Sequence, residues 1–396
     1  MVYSEDYKKL VDATALKDKY YEIDERVEEI CKEAFKGCDK LEEIVMPKKL
    51  KKIDSEAFQG CSSLTKLTLP DSVMSIGKGA FCGCSGLTDL TLPDSVTIIG
   101  DGAFQGCSGL TELTLPNCVR VVEACAFKDC SGLTKLTLPS RVASIGRWAF
   151  YGCSGLTELT LPDTLECIEA FAFCGCSGLT ELTLPNRVRI IEVSAFEGCS
   201  GLTELTLSNS LVSIGGNAFS WCSELTELTL PNSVTSIGGY AFRGCSGLEK
   251  IMVESGNSRY DSRDNCNSII DTETNTLIVG CKNSVIPNSV TSIVESAFAY
   301  CSGLEKITVE SGNSRYDSRD NCNSIIDKKT NTLIAGCKNS VIPNSVARID
   351  GLAFCGCSGL TELTLPNSVK SIGDGAFADC SGLEKITVES GNSRYD

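Results

Sequence analysis

The chain has 396 residues, of which 24 are cysteine, 36 are glycine and none is histidine. Its net charge of −15 would repel phosphates, which argues against nucleic acid as a partner. The lack of histidine removes the commonest general base and metal ligand, and no apolar run approaches the roughly 20 residues of a membrane span, so membrane insertion is not expected.

Residues 1–17 precede the first repeat. Tyr7, Leu10, Val11 and Thr14 would share one face of a helix, so the sequence predicts an N-terminal helical cap over residues 1–17. A stack of repeats requires such a cap, because its first unit would otherwise expose its core. The first residues lack the apolar segment of a secretory signal, which favours a cytoplasmic location for the chain as written.

An Ala-Phe pair recurs along the rest of the chain. The thirteen repeat phenylalanines, from Phe35 to Phe377, are spaced by 23 residues except for two intervals of 56. A cysteine follows each of them by three residues, and most repeats continue with Leu-Thr-x-Leu-Thr-Leu-Pro. A fixed period of this length with L-x-x-L-x-L predicts a leucine-rich-repeat solenoid of about thirteen coils over residues 18–396.

Each part of the repeat has a structural role. Leucines alternate with polar residues over 110–115, which predicts a short strand buried on one face, and residues 119–122 predict a second strand on the opposite wall. Residues 126–130 predict a single helical or 3₁₀ turn. The expected fold is an α/β solenoid of mostly short parallel strands with such turns, wound as a right-handed, horseshoe-like superhelix.

The recurring pattern GAFxGCSGLTELTLPNSVxSI resembles the BspA-type leucine-rich-repeat proteins, over about residues 18–396. Known members are mostly surface or secreted proteins of host-associated microbes that adhere to matrix proteins, host cells or other microbes. The resemblance implies adhesin-like protein–protein binding at a microbial surface, and we expect a monomer without a cofactor. The missing signal and the abundant thiols favour an alternative, an intracellular protein-interaction scaffold.

The cysteines that follow the repeat phenylalanines would form a ladder. Equivalent side chains of stacked strands point the same way, which is poor disulfide geometry, so we expect buried thiols. Cys-Gly-Cys pairs such as Cys82 and Cys84 lack a second pair at zinc-site spacing, so no metal site is predicted. No catalytic residue is predicted either, because no histidine can activate a serine or cysteine, and the chain is not expected to be an enzyme.

Large aromatic residues interrupt the repeat in its middle. The column two residues before the repeat phenylalanine is mostly small, but it holds Trp148 and Phe171 in adjacent coils, and Tyr151 lies in the same region. Aromatics on a repetitive surface predict an interaction hot spot. The alternative is that they fill gaps between turns.

An acidic row forms the second candidate surface. The third residue of L-x-x-L-x-L should face outward on the concave sheet, and four successive coils carry an acid there: Glu158, Glu181, Glu204 and Glu227. Like charges one strand apart are destabilising. We expect the row either to be screened by solvent or to receive a cationic partner.

Two nearly identical insertions, near residues 254–285 and 310–341, account for the 56-residue intervals. Each predicts a projecting hairpin with a five-residue loop, as at 271–275. Symmetric pairing sets Cys266 opposite Cys281 and Cys322 opposite Cys337, which makes these two pairs possible disulfides. Residues 390–396 copy the segment that opens each insertion, which predicts a truncated third insertion at the C-terminus.

Overall fold

In a computed structural model, the chain forms stacked coils of short parallel strands, and residues 1–392 and 394–395 are described. The coils divide into two compact units. Unit 1 comprises Met1–Leu202 and Ser213–Ala218, and unit 2 comprises Thr203–Val212 and Phe219–Asp396. Most coils contribute a front strand, from the L-x-x-L-x-L segment, and a back strand, from the segment after the proline. The predicted solenoid of parallel strands is confirmed.

Unit 1 has two hydrogen-bonded front sheets and two back sheets. Its front strands are Tyr20–Glu22, Glu43–Val45, Lys66–Thr68 and Asp89–Thr91 in one sheet, Glu112–Thr114, Lys135–Thr137 and Glu158–Thr160 in the next, and then Glu181–Thr183. Its back strands are Val2–Tyr3, Lys9–Asp12, Glu29–Ile30, Lys52–Ile53, Ser75–Ile76 and Ile98–Ile99, followed by Val121–Val122, Ser144–Ile145, Cys167–Ile168, Ile190–Ile191 and Ser213–Ile214.

The front strands bury one face, as their alternating sequence requires. In Glu112–Thr114 the central Leu113 is 2% exposed and its two neighbours are exposed. In-register pairing sets Leu113 beside Leu136 of the next coil. Each leucine buried in such a row contributes about 1.5–3 kcal/mol. Leu90 and Leu159 hold the same position but are only half-buried.

The repeat phenylalanines form a second internal row. In unit 1 the rings from Phe35 to Phe196 are fully buried, and neighbouring rings stack with centroids 4.8 to 5.5 Å apart and planes within 10°. Some backbone hydrogen bonds of these turns join one coil to the next. The Phe127 N–H, for example, donates to the carbonyl oxygen of Ala149 at 2.8 Å. In place of the expected helical turn at residues 126–130, three overlapping β-turns cover residues 123–130, closed by hydrogen bonds from the N–H groups of Ala126, Lys128 and Cys130.

The predicted helical cap at residues 1–17 is wrong. Val2–Tyr3 and Lys9–Asp12 form an antiparallel pair, and Lys9–Asp12 runs parallel to Glu29–Ile30. A strand satisfies the unpaired backbone groups at the edge of the first coil, which a helix could not do. Tyr7 has a left-handed φ of 59°, and it is exposed. Leu10 is fully buried, so the solenoid begins inside the segment predicted as a cap.

Unit 2 contains the two insertions. Its front strands are Glu204–Thr206, Glu227–Leu230, Lys250–Val253, Val285–Ile286, Thr308–Val309, Glu362–Leu365 and Lys385–Val388. Its back strands are Ser236–Ile237, Tyr260–Asp261, Ser268–Asp271, Thr276–Gly280, Ser292–Ile293, Tyr316–Asp317, Ile325–Asp327, Thr332–Ala335, Arg348–Ile349 and Ser371–Ile372. The helices of the described residues are two 3₁₀ segments, Arg263–Asn265 and Arg319–Asn321.

Each insertion forms a coil of its own, so the prediction of a projecting hairpin is wrong. Ser268–Asp271 and Thr276–Gly280 do pair as a hairpin, with a loop of four residues, but Thr276–Gly280 also pairs in parallel with the back strand Ser292–Ile293. Ile269 and Ile270 are fully buried. Consecutive apolar residues need cover on both faces of a strand, and the interior of the unit provides it.

Gly280 holds the place of the repeat phenylalanine in the first insertion coil. Its N–H donates to the carbonyl oxygen of Ala297 at 3.0 Å, as the repeat phenylalanines do to alanines in ordinary coils. A Cβ atom on Gly280 would clash with the ring of Phe298, which fills this space. Gly336 and Phe354 repeat the arrangement in the second insertion.

A buried asparagine fastens the start of the second insertion. Asn313 is 1% exposed, and its Nδ2 donates to the carbonyl oxygens of Pro287 at 2.7 Å and Val290 at 3.0 Å. Its Oδ1 accepts from the backbone N–H groups of Arg315 and Tyr316. All four hydrogen-bonding positions of the amide are therefore used.

The same fastening occurs twice more. Asn257 and Asn392 donate to the equivalent carbonyl oxygens of the coil that precedes each of them. In the predicted truncated third insertion, Ser393 and Asp396 lie outside the described residues. The described part of this segment therefore starts as the two complete insertions do.

Candidate functional site

The glutamates of the acidic row face outward, as the strand pattern predicted. Glu158 and Glu181 belong to unit 1, and Glu204 and Glu227 belong to unit 2. Two of the four have a basic partner, because Lys135 Nζ lies 3.1 Å from Glu158 and Lys250 Nζ lies 3.2 Å from Glu227.

Charge compensation along the row is therefore incomplete. The hydrogen bond to Glu158 raises the pKa of Lys135, and the negative charge of Glu158 adds to this effect. Glu181 and Glu204 form no ion pair with any described residue. Solvent screens exposed charges strongly, so these two glutamates can persist without a partner.

A groove opens on the front of unit 1 where the front hydrogen bonding is interrupted, between Asp89–Thr91 and Glu112–Thr114. Its volume is about 550 Å³, and threonine hydroxyls and acidic side chains, including Asp89 and Asp94, line it. The groove thus combines hydroxyl and carboxylate oxygens with apolar side chains such as Leu92 and Pro116.

The structure brings Trp148 and Phe171 together. Their rings stack with centroids 5.7 Å apart and planes 22° apart. The Arg147 guanidinium lies 5.3 Å from the centre of the Trp148 ring, and the Lys128 ammonium lies 5.1 Å from that of Tyr151. Trp148, Tyr151 and Phe171 are half-buried, and we call them the Trp148 patch.

The backbone of the Trp148 patch is strained. Trp148 and Phe171 have φ angles of 56° and 60°, in the left-handed region, where Gly79 and Gly102 stand in the same column of earlier coils. A bulky residue there costs about 1–3 kcal/mol. Stacking offsets part of this cost, at about 0.5–1.5 kcal/mol for an aromatic pair.

The cysteine ladder has a structural explanation. In unit 1 the ladder thiols from Cys61 to Cys199 donate to the carbonyl oxygen of the repeat phenylalanine one coil earlier, as Cys130 Sγ does to Phe104 at 3.2 Å. Cys38 donates to the carbonyl oxygen of Ala13 instead. Burial raises the pKa of Cys153 to about 12, so this thiol is protonated at neutral pH. These sulfur atoms link successive coils as weak donors and are poor nucleophiles.

The four insertion cysteines are also buried. Cys266 Sγ faces the carbonyl oxygen of Ser268, and Cys281 Sγ faces that of Asn267 at 3.3 Å. Cys322 and Cys337 repeat these contacts. Disulfide formation within the two pairs stays a prediction.

We expect alkylation of the native protein to be confined to the half-exposed cysteines. The buried thiols should react with iodoacetamide only after unfolding, because they are inaccessible and protonated. Peptide mass spectrometry before and after unfolding measures this, and rapid native labelling of Cys130 or Cys153 would contradict it. The half-exposed cysteines are Cys31, Cys82, Cys118, Cys125, Cys167, Cys174, Cys301 and Cys380.

A second aromatic group, in unit 2, was not predicted from the sequence. We call it the Arg243 cluster: Trp221, Tyr240, Arg243, Tyr300 and Asp379. The Arg243 guanidinium lies 4.4 Å from the ring centre of Tyr300, 5.5 Å from that of Tyr240 and 5.7 Å from that of Trp221. The Tyr300 hydroxyl donates to Asp379, and this hydrogen bond is the main reason that the pKa of Tyr300 is raised.

The sequence does contain a pattern that could have predicted this cluster, in a different column of the repeat from that of Trp148. Two residues after the repeat phenylalanine, most coils carry a glycine with a left-handed φ, as Gly244 does at 74°. Trp221, Tyr300 and Asp379 replace this glycine and keep the left-handed conformation, with φ of 64°, 62° and 55°. In unit 1, Asp129 also replaces this glycine, with φ of 59°. Large aromatic residues in a column that is mostly glycine could have identified the cluster.

The described residues contain no group of three or more cysteine, aspartate or glutamate side chains that could hold a metal ion. Within the same part of the chain, no helix has the length and apolarity that crossing a membrane requires.

Comparison with known proteins identifies similar repeats. The model of the "BspA type Leucine rich repeat region" matches six times in all, over residues 28–157, 143–270, 278–325 and 326–395. No functionally curated protein matches the sequence.

Two solved bacterial structures are similar over most of the chain. A leucine-rich cell surface protein from Faecalibacterium prausnitzii A2-165 is 28% identical with a TM-score of 0.55, and the match covers 75% of this chain and 84% of that one. A leucine-rich repeat protein from Bacteroides ovatus ATCC 8483 is 28% identical with a TM-score of 0.50, covering 91% and 82%.

Proposed function

Because the chain belongs to the BspA-type leucine-rich-repeat proteins, we propose that it binds other proteins through its exposed repeat surface, as a non-catalytic, adhesin-like protein of a microbial cell surface. The similar protein from Faecalibacterium prausnitzii is described as a cell surface protein, which supports this location. The scaffold places different side chains at equivalent positions, as extended recognition surfaces do.

The Trp148 patch is the main observation that supports the proposal. Its rings are held in strained backbone conformations and remain half-exposed, although glycine serves the same position elsewhere. Exposed aromatic residues of this kind are enriched among the anchors of protein interfaces. Glu181 in unit 1 and Glu204 in unit 2 each add an uncompensated negative charge. Each charge would speed the encounter with a basic partner, because exposed charges act chiefly on the rate of encounter.

Binding to a panel of immobilised extracellular-matrix proteins tests the proposal by biolayer interferometry. We expect Trp148→Gly to raise the dissociation rate by about tenfold or more, since it removes an aromatic anchor. The double substitution Glu181→Lys and Glu204→Lys should lower the association rate by up to about tenfold at low salt.

Trp221→Gly is the matched control, because it also replaces a tryptophan with the glycine of other coils, but in unit 2. It should leave these rates unchanged. If the chain binds none of the panel, or if all three variants bind as the wild type does, the proposed surface is wrong.

The 24 cysteines support a second candidate, an intracellular protein-interaction scaffold. So many free thiols are usual for proteins kept in the reducing cytosol. Labelling intact cells with a membrane-impermeant biotin reagent distinguishes the two candidates. Labelled protein on intact cells supports the surface location, whereas protein protected until lysis supports the scaffold.

A further inference from the structure

We propose that the Arg243 cluster is a binding site for a neutral saccharide, a chain of hydroxyl-bearing pyranose rings. The cluster lies wholly in unit 2 and shares no residue with the Trp148 patch or with Glu181 and Glu204. The proposal therefore stands independently of protein binding by those surfaces.

The cluster forms a continuous band along the turns of five repeat-phenylalanine coils. The insertion coil does not separate these turns between Tyr300 and the next one, because the Tyr300 N–H donates directly to the carbonyl oxygen of Cys355 at 2.9 Å. Trp221 and Tyr300 meet edge to face with ring centres 4.5 Å apart, and Tyr300 continues to Asp379 through its hydroxyl. Coils follow each other at about 5 Å, so the band extends over roughly 20 Å. This length suits several linked sugar rings better than a single small ligand.

Two glycines make room for the band. A Cβ atom on Gly244 would lie 2.7 Å from the Trp221 ring, and one on Gly356 would lie 2.5 Å from the Tyr300 ring. Each aromatic ring therefore lies over the glycine of the next repeat-phenylalanine coil. The alternation of aromatic residues and glycines in one column produces a shallow surface rather than isolated side chains.

The concavity beside the band has the mixed chemistry that a sugar requires. Its volume is about 470 Å³, and Trp221, Tyr300 and Asp379 line it together with serines of successive coils. Ring faces can pack against the polarised C–H groups of a pyranose, while the carboxylate and hydroxyls hydrogen-bond with its hydroxyl groups. The side-chain hydroxyls of four lining serines form no hydrogen bond to another described residue: Ser246, Ser302, Ser358 and Ser381.

Arg243 adds an unused donor. Its Nε is buried without a hydrogen-bond partner among the described residues, and its guanidinium is held by three aromatic rings. An unpaired buried donor costs free energy in the unliganded protein. A ligand hydroxyl that accepts from the guanidinium, directly or through water, would offset this cost.

Charge favours a neutral glycan over an acidic one. The chain carries a net charge of −15, and Asp379 is exposed in the band itself. A polyanionic saccharide would be repelled both at long range and by this carboxylate.

Tryptophan fluorescence offers a direct test, because Trp148 and Trp221 are the two tryptophans of the chain. Trp148→Phe leaves Trp221 as the sole reporter. We expect neutral oligosaccharides of glucose, mannose, galactose or N-acetylglucosamine, titrated to millimolar concentrations, to give a saturable change with at least one of them. Acidic oligosaccharides of uronic acids should bind more weakly.

Isothermal titration calorimetry with the same oligosaccharide then compares two matched variants. Trp221→Gly restores the glycine of other coils and should weaken binding by about tenfold or more, as loss of an aromatic anchor does. Trp148→Gly makes the same change in unit 1 and should bind as the wild type does. Thermal melts by circular dichroism confirm that both variants are folded.

Three outcomes would overturn the proposal. These are no saturable change with any neutral oligosaccharide, equal calorimetric affinities for Trp221→Gly and Trp148→Gly, or tighter binding of the acidic oligosaccharides. Loss of a protein partner in Trp221→Gly without saccharide binding would assign the band to protein recognition instead. None of these results depends on whether the Trp148 patch binds a protein.

Discussion

Phe127→Ala should destabilise unit 1 by about 3–5 kcal/mol, the range for truncating a buried aromatic residue. The ring is fully buried and stacks at 5.5 Å on both Phe104 and Phe150, so its removal leaves a cavity and interrupts the ladder on two sides. Urea unfolding followed by circular dichroism measures the loss.

Thr114→Ala is the control for Phe127→Ala. Thr114 lies on the exposed side of a front strand in the preceding coil, and its truncation should cost less than about 1 kcal/mol. Equal losses of stability in the two variants would mean that the phenylalanine ladder is not the core of the unit.

Asn313→Ala should cost roughly 3–5 kcal/mol in unit 2, although it removes only a few atoms. The substitution leaves two buried carbonyl oxygens and two backbone N–H groups without their partner. Asn313→Asp should be at least as harmful, because it loses both donors and buries a charge. Urea melts of these variants give the free energies of unfolding.

Asn344→Ala provides the comparison for Asn313. Asn344 is exposed and forms no hydrogen bond to another described residue, so its loss should change stability by less than about 0.5 kcal/mol. A cost of Asn313→Ala below about 1 kcal/mol would show that water replaces the amide without penalty.

The repeat could be predicted from the sequence because every coil solves the same packing problem. Residues equivalent to Leu113 and Phe127 recur at the 23-residue period of the repeat, so a correct interpretation of one coil also applies to its neighbours. The prediction for the N-terminal segment was wrong because that segment lies outside the repeat. Its apolar residues fit a helix in isolation, whereas the unpaired edge of the first coil made a strand around Leu10 the better arrangement.

The insertions and the Arg243 cluster show where sequence patterns were insufficient. Ile269 and Ile270 are consecutive apolar residues that a projecting hairpin could not shelter, but their cover comes from the rest of the unit. Trp148 and Phe171 occupy the same column in adjacent coils, so their proximity followed from the period. The Arg243 cluster instead combines three columns, and the period alone does not indicate that large residues in one column contact those in another.

The insertion coils also affect how such a gene can change. Residues 253–271 and 309–327 are identical in sequence and lie 56 residues apart. Each 56-residue cassette supplies its own strands, its own asparagine fastening and the glycine that admits the next phenylalanine ring. Unequal recombination between the copies would add or delete whole cassettes while preserving the register at both junctions. Chain length can therefore vary between descendants without a new packing solution having to evolve.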